Sequence, residues 1–216
     1  MRRYLHLFFP FNDGLTMGFL TVMNMVRFQA KNGTFFTLAS EQEADGFHRE
    51  NLLDSVLGKG RKRKSSEFLR CGRFAADGLS FIVKNASGEL VGSVRLWHVT
   101  FHKGKNGTQN ALLLGPLAIS SQYSGIGIGS VLMWHAIESA KRLGHGAILL
   151  VGDSEFYARF GFSSRLTENL AMPGPYEKHR FQALELIPRY LTSCHGVVTP
   201  SGELRDSGCL QPHKVA

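Results

Sequence analysis

A chain of 216 residues, 43% hydrophobic and 19% charged, is long enough to bury a sizeable core and short enough for one domain with an appendage. Its net charge of +8 favours an anionic partner without choosing between nucleic acid, a membrane surface and a phosphorylated cofactor. Cys71, Cys194 and Cys209 are far apart and form no CxxC pair, which favours reduced thiols in a cytoplasmic compartment over a disulfide framework or a zinc site.

The first 33 residues open on Arg2 and Arg3 and then turn apolar, superficially like a leader. His6, Pro10, Asn12, Asp13 and Gly14 interrupt the run, and no stretch approaches the ~18–20 apolar residues that a membrane helix needs. Residues 1–33 are expected to be a poorly ordered N-terminal extension, with Met23 and Met25 as alternative starts. One domain then covers residues 34–202, followed by a polar, frayed tail over 203–216.

Residues 34–39 (TFFTLA) predict a strand. Ser40 is then a helix cap, with Glu43 completing a capping box. Phe47, Leu52, Leu53, Val56 and Leu57 supply the apolar face of that helix, and Gly58 stops it. The basic run GKGRKRKSS over 58–66 has no aromatic residues for base stacking and reads as a solvated loop. A short helical piece lies around residues 67–71. Runs at 79–84 and 90–99 flank a turn at 85–88 and form a hairpin.

Residues 111–119 form a strand interrupted by Gly115-Pro116. Proline cannot donate to a ladder, so the dipeptide predicts a bulge or a splayed edge. A helix follows, with Ile128, Val131, Leu132, Ala136 and Leu143 on its core side, Lys141 and Arg142 in its last turn and Gly144 at its end. Residues 147–151 (AILLV) predict a buried strand and 156–160 one helical turn. Runs at 180–186 and 195–199 predict a last pair of strands.

Between the strand and the central helix, Gly125, Gly127 and Gly129 alternate with Ile126 and Ile128. A strand that leads through a glycine-rich turn into a helix presents unpaired amides and the positive end of the dipole to an anion. Without a Cβ in the way, a diphosphate can approach the main chain itself. A dinucleotide fold fits poorly, because the spacing is G-x-G-x-G and five residues separate the strand from the first glycine. Only about sixty residues follow Asp153, too few for a second mononucleotide half. A Walker loop fails as well, since no G-K-[ST] follows.

LGPLAISSQYSGIGIGSVLM, a helix and then LVGDSEFYARFGF together resemble the GNAT superfamily of N-acetyltransferases, and within it the YhbS-like predicted acetyltransferases. The resemblance implies an α/β (α+β) acyl-CoA N-acyltransferase fold, with a mixed, mostly antiparallel sheet, a splayed central strand and flanking helices. The family pattern R/Q-x-x-G-x-G/A falls on residues 124–129, with Ser124 where Gln or Arg is usual and Ile126 where a basic residue is common. It implies that Ser124, Gly125, Ile126, Gly127, Ile128, Gly129 and Ser130 hold the pyrophosphate of acetyl-CoA. Leu117, Ala118 and Ile119 would bind the pantetheine arm through their backbone, as an added strand does, with one N–H polarising the thioester oxygen. Tyr157 matches the family's general-acid tyrosine. A phenol with a reference pKa of ~10 stays protonated near neutrality and can serve a thiolate whose own is about 8.5.

The activity so implied is direct transfer of an acetyl group from acetyl-CoA to an amine, on a small molecule or a protein, by a monomer or homodimer. It calls for no metal, no nucleic acid and no membrane. A base is harder to name, for the strand over 111–119 carries no acid. Asp153 reads as a helix cap, His98 as a structural histidine and His135 as a packing or solvent-facing one. His98 and His102 are four residues apart on strand and loop, a spacing that joins ligands only on a helix. A water-relayed base is the default. Ser124 and the missing base keep a non-catalytic acyl-CoA-binding or regulatory module open, and residues 61–64 keep a nucleic-acid binder open. The loops over 57–78, 100–110 and 165–178 are expected to choose the acceptor.

Overall fold

The computed structural model describes residues 21–22 and 25–205. Expectations for residues 1–20, 23–24 and 206–216 lie outside the described residues. In chain order the first elements are β1 (Thr21–Val22), β2 (Met25–Gln29), β3 (Phe35–Ser40), α1 (Gly46–Leu57) and α2 (Ser65–Phe68). Next come β4 (Ser80–Lys84), β5 (Leu90–Lys103), β6 (Gly107–Ile119), α3 (Ile128–Arg142) and β7 (Ala147–Val151). The last are α4 (Ser154–Ala158), β8 (Leu170–Ala171), β9 (Phe181–Glu185) and β10 (Cys194–Pro200).

The chain divides into two compact units. The first holds the described residues up to Arg61 with Asp77–Arg95 and Gly115–Leu143; the second holds Lys62–Ala76, Leu96–Leu114 and the chain from Gly144 onward. Strands β5 and β6 contribute residues to both.

In the first unit β1 to β5 are successive antiparallel neighbours. Consecutive residues of a strand face opposite ways, and β4 uses both faces. Ile82 packs with Leu52 and Leu53 of α1 and with Leu90 and Ala118, while Phe81 meets His135 of α3 edge-on, ring centroids 4.5 Å apart. In the second unit β7 and β9 pair antiparallel, and β10 pairs antiparallel with β5 and parallel with β8. Its core takes alternate residues of each strand: Trp97, Val99 and Phe101 of β5, Ala111 and Leu113 of β6, Ala147 and Leu149 of β7, Phe181 and Ala183 of β9. The pairing is mixed and mostly antiparallel, with flanking helices, in the α+β class that the sequence predicts.

Several local expectations need correction. Residues 25–29, assigned to the extension, form β2 and pair along their whole length with β3. The buried Phe28 stacks on Phe36 at 5.8 Å. Ser40 caps no helix, because it is still paired with Phe81 in the β3–β4 ladder. The chain turns instead at Gln42, whose N–H donates to the Asp45 Oδ2 at 3.0 Å. Phe47 is 72% exposed, since at 3.6 residues per turn it stands about 140° round the helix from Leu52. Leu143 lies just past the end of α3 and is 51% exposed. The runs ending the sequence do form β9 and β10, but each pairs elsewhere rather than with the other. Cys71 is disulfide-bonded, because distance along the chain does not limit which segments folding brings together, while Cys194 is a free, buried thiol. Among the described residues no helix is long and apolar enough to cross a membrane.

Candidate active site

The first unit carries the glycine loop and the second the helical turn with Tyr157. After β6 the Ser120 N–H donates to the Val91 carbonyl at 2.8 Å, and one 3-10 turn (Ser121–Tyr123) follows. Tyr123 anchors that turn, accepting from the Asn85 Nδ2 at 3.2 Å and meeting the Phe36 ring edge-on at 5.5 Å. The chain then reverses through Gly125 at φ 78° and Gly127 at φ 99°, the left-handed region that side-chain-bearing residues avoid.

Gly127 occupies the N-cap of α3, so no side chain caps the helix. The Val131 N–H is the first to pair, donating to the Gly127 carbonyl at 3.1 Å. Among the described residues the amides of Gly125, Ile126, Gly127, Ile128, Gly129 and Ser130 have no protein acceptor. Six orphan donors at the positive end of a 15-residue helix form an anion cradle. Gly125 is exposed, and a β-carbon there would meet nothing within 4 Å.

The cradle is held from below. Ile128 is 1% exposed, and a β-carbon at Gly92 of β5 would lie 3.1 Å from its Cγ2 and from Ile119 Cδ1. Gly92 thus leaves room for the first turn of α3, a need the sequence hinted at only by placing glycine inside a strand. The turn between β2 and β3 also reaches the loop, where the Lys31 N–H donates to the Ile126 carbonyl at 3.0 Å. Of the residues expected to meet the pantetheine arm, Ala118 is buried in the α1 cluster and Leu117 and Ile119 are half-buried. The β6–β7 ladder joins Leu112 to Ile148 and Leu113 to Leu149, both before Gly115-Pro116.

In the second unit α4 follows β7 and carries Tyr157. Asp153 caps this turn, accepting from the Phe156 N–H at 3.0 Å, as the sequence predicts. The Tyr157 ring lies over Gly152: an added β-carbon would stand 2.9 Å from Cδ2 and nearer still to Cε2. The Gly152 N–H donates to the Arg180 carbonyl at 2.9 Å, which fixes the main chain under the ring. Phe156 and Phe162 meet the same ring edge-on at 4.9 and 6.0 Å. Burial pushes the phenol pKa up to about 12, with the Asp153 charge adding and Arg180 opposing. Tyr157 is therefore a neutral phenol at neutral pH, with no acceptor for its proton among the described residues.

The other titratable candidates are engaged. His98 lies beside His145 at 5.6 Å and His102 stacks on His195 at 5.8 Å, so the two do not pair with each other. His135 packs against Phe81, and burial, with the Arg142 charge, lowers its pKa to about 4. Glu41 is buried between two guanidiniums: Arg49 donates to it, and the Arg95 Nε does so at 2.6 Å. Both guanidiniums thus occupy the carboxylate oxygens of Glu41. Arg49 also pairs with Glu50, which pairs with Arg61, and Arg61 donates to Asp54 at 2.8 Å. Arg61 is buried, so the basic run is not uniformly solvated: the composition alone did not show the carboxylates that α1 brings to it.

The model of the acetyltransferase (GNAT) family matches residues 44–162, a span holding the glycine loop, α3 and Tyr157. The chain belongs to the GNAT family. Among GNAT proteins, YhbS of Escherichia coli strain K12, named an uncharacterized N-acetyltransferase, is 29% identical over 85 residues, 39% of this chain and 51% of YhbS. YjhQ of the same strain, likewise named, is 30% identical over 112 residues, 49% of this chain and 61% of YjhQ. The chain thus spans about half the length of the curated relatives it matches. The crystal structure of Escherichia coli YhbS in complex with CoA superposes over 76% of this chain and 88% of that one, with a TM-score of 0.62 at 23% identity. A Brucella melitensis GNAT acetyltransferase in complex with acetyl-CoA covers 71% and 89%, with a TM-score of 0.52 at 19% identity. At these identities the two structures establish the shared GNAT fold.

Proposed function

We propose that this GNAT protein is an acetyl-CoA-dependent N-acetyltransferase that passes an acetyl group directly to an amine of a small molecule or a protein. The observation that carries this is the row of unpaired amides at residues 125–130. A diphosphate needs several donors, close main-chain approach and positive potential, and a row of unpaired amides with bare glycines at a helix N-terminus supports all three. Family membership, and the CoA and acetyl-CoA bound by the two structural neighbours, favour acetyl-CoA over other diphosphates.

Bound acetyl-CoA supplies the acetyl thioester. The amides of residues 125–130 hold its diphosphate, and the main chain of Leu117, Ala118 and Ile119 takes the pantetheine arm. The β6–β7 register, found only before Gly115-Pro116, supports the second assignment. Tyr157 keeps its proton on Oη at neutral pH and delivers it to the departing sulfur. Glu41 is occupied by two arginines and Asp153 by its cap, so water carries the proton away from the amine. A cytoplasmic location goes with this assignment, as the donor is a metabolite of that compartment.

Ser124, in place of the usual Gln or Arg, favours a second reading as a non-catalytic acyl-CoA-binding module. Incubating the protein with acetyl-CoA and a panel of amines, and following free thiol, separates the two. Amine-dependent thiol release is expected. Tight coenzyme A binding without release for any amine favours the module, and absence of binding removes both.

A further inference from the structure

We infer that Lys31 is the cation that neutralises the cofactor's diphosphate at the α3 cradle. This rests on the proposed function and adds to it a residue outside both the family match, which begins at residue 44, and the family's glycine pattern.

The charge balance calls for such a group. From residue 106 to residue 140 the chain has no lysine or arginine, so the loop and the first three turns of α3 carry no cation. The end of a helix dipole is equivalent to roughly half an elementary charge, whereas a diphosphate bridge carries two negative charges. Ser124 contributes none.

Most of the other described cations of the first unit are committed elsewhere. Arg49, Arg61 and Arg95 face Glu41, Glu50 and Asp54. Lys84 pairs with Asp45 at 2.7 Å, and Arg27 lies over the Phe35 ring. Lys141 pairs with Glu138 in the last turn of α3, with Arg142 beside it, at the far end of a 15-residue helix. Lys59 belongs to the 3-10 turn Lys59–Arg63 that follows α1.

Lys31 differs from all of them. Its main chain is bonded to the cradle, N–H to the Ile126 carbonyl at 3.0 Å, between the two left-handed glycines. The turn that presents it is stiff. The Ala30 N–H donates to the Thr34 carbonyl at 2.8 Å, the Gly33 N–H to the Ala30 carbonyl at 2.9 Å, and the Thr34 N–H to the Asn32 Oδ1 at 3.1 Å. The Lys31 side chain is exposed, and among the described residues its ammonium has no partner. A four-carbon stem rooted at a residue bonded to Ile126 is long enough to carry that ammonium to a diphosphate on the amides of residues 125–130.

Calorimetric titration of the full chain with coenzyme A and with 3′-dephospho-coenzyme A tests this in wild type, Lys31→Gln and Lys31→Arg. Loss of one charge-assisted contact at an exposed site predicts about tenfold weaker binding for Lys31→Gln. The loss should be equal for both ligands, and Lys31→Arg should stay within about threefold of wild type. Thermal melting of Lys31→Gln should be unchanged, because the bond to Ile126 uses the main chain. Wild-type affinity in Lys31→Gln overturns the inference and leaves the proposed function standing. A loss confined to coenzyme A overturns it by moving Lys31 to the 3′-phosphate, and equal losses in both variants overturn it by removing charge as the cause. If wild type itself binds neither ligand, the proposed function falls and takes this inference with it.

Discussion

The ring of Tyr157 and the main chain of Gly152 are in direct contact, with no room for a β-carbon between them. Gly152 has none of the left-handed geometry that calls for glycine at Gly125 and Gly127, so its role is to admit the ring. Gly152→Ala should turn Tyr157 out, and kcat should fall as far as in Tyr157→Phe. Steady-state thiol release from the two single variants and the double variant checks this. The double should be no slower than the worse single, and additive losses would separate the glycine from the tyrosine.

Tyr157→Phe should lower kcat by about 10²–10⁴-fold with little change in coenzyme A affinity. With its pKa pushed up to about 12, the phenol keeps its proton well beyond pH 10. The wild-type kcat profile should therefore rise as the amine deprotonates and show no alkaline limb from Tyr157 below about pH 11. An alkaline limb near pH 9 that disappears in Tyr157→Phe would contradict the assignment.

What the sequence made legible was local. The glycine cluster, the apolar period of α3 from Ile128 to Ala136 and the Asp153 cap all depend on neighbours within a few residues, and each is found where expected, while Leu143 falls outside the helix. Gly92 and Gly152 escaped notice because the groups they accommodate, Ile128 and Tyr157, reach them only in the fold. Arg61 looked solvated because a basic run does not reveal that Glu50 and Asp54 turn toward it from α1. The strand β2 was hidden behind an apolar segment resembling a leader, and only its pairing with β3 identifies it.

His135 gives acid sensitivity with a definite sign. Its pKa is lowered to about 4 in the folded chain, against about 6.5 in an unfolded one. Between those values the unfolded chain binds a proton that the folded chain does not, so stability falls as pH drops through that window. Urea unfolding at pH 7 and pH 4.5 should show a smaller loss in His135→Gln than in wild type. The slope should not vanish, since burial also lowers the His145 pKa. Equal losses in the two proteins would contradict this.

The basic run should divide by burial. Arg61→Ala removes a buried guanidinium that bonds both Glu50 and Asp54 and should cost about 1–3 kcal/mol. Arg63 is exposed, and Arg63→Ala should stay within about 0.5 kcal/mol of wild type. Urea midpoints with unchanged m-values measure both, and equal effects would remove the ion network from the account.

The most direct test concerns the amides themselves. Backbone ¹⁵N–¹H spectra of the full chain titrated with coenzyme A should show the largest shifts at Gly125, Ile126, Gly127, Ile128, Gly129 and Ser130, as orphan N–H groups acquire phosphate acceptors. Saturation of the ligand with those six resonances unmoved, or with the main shifts at another helix terminus, would contradict it.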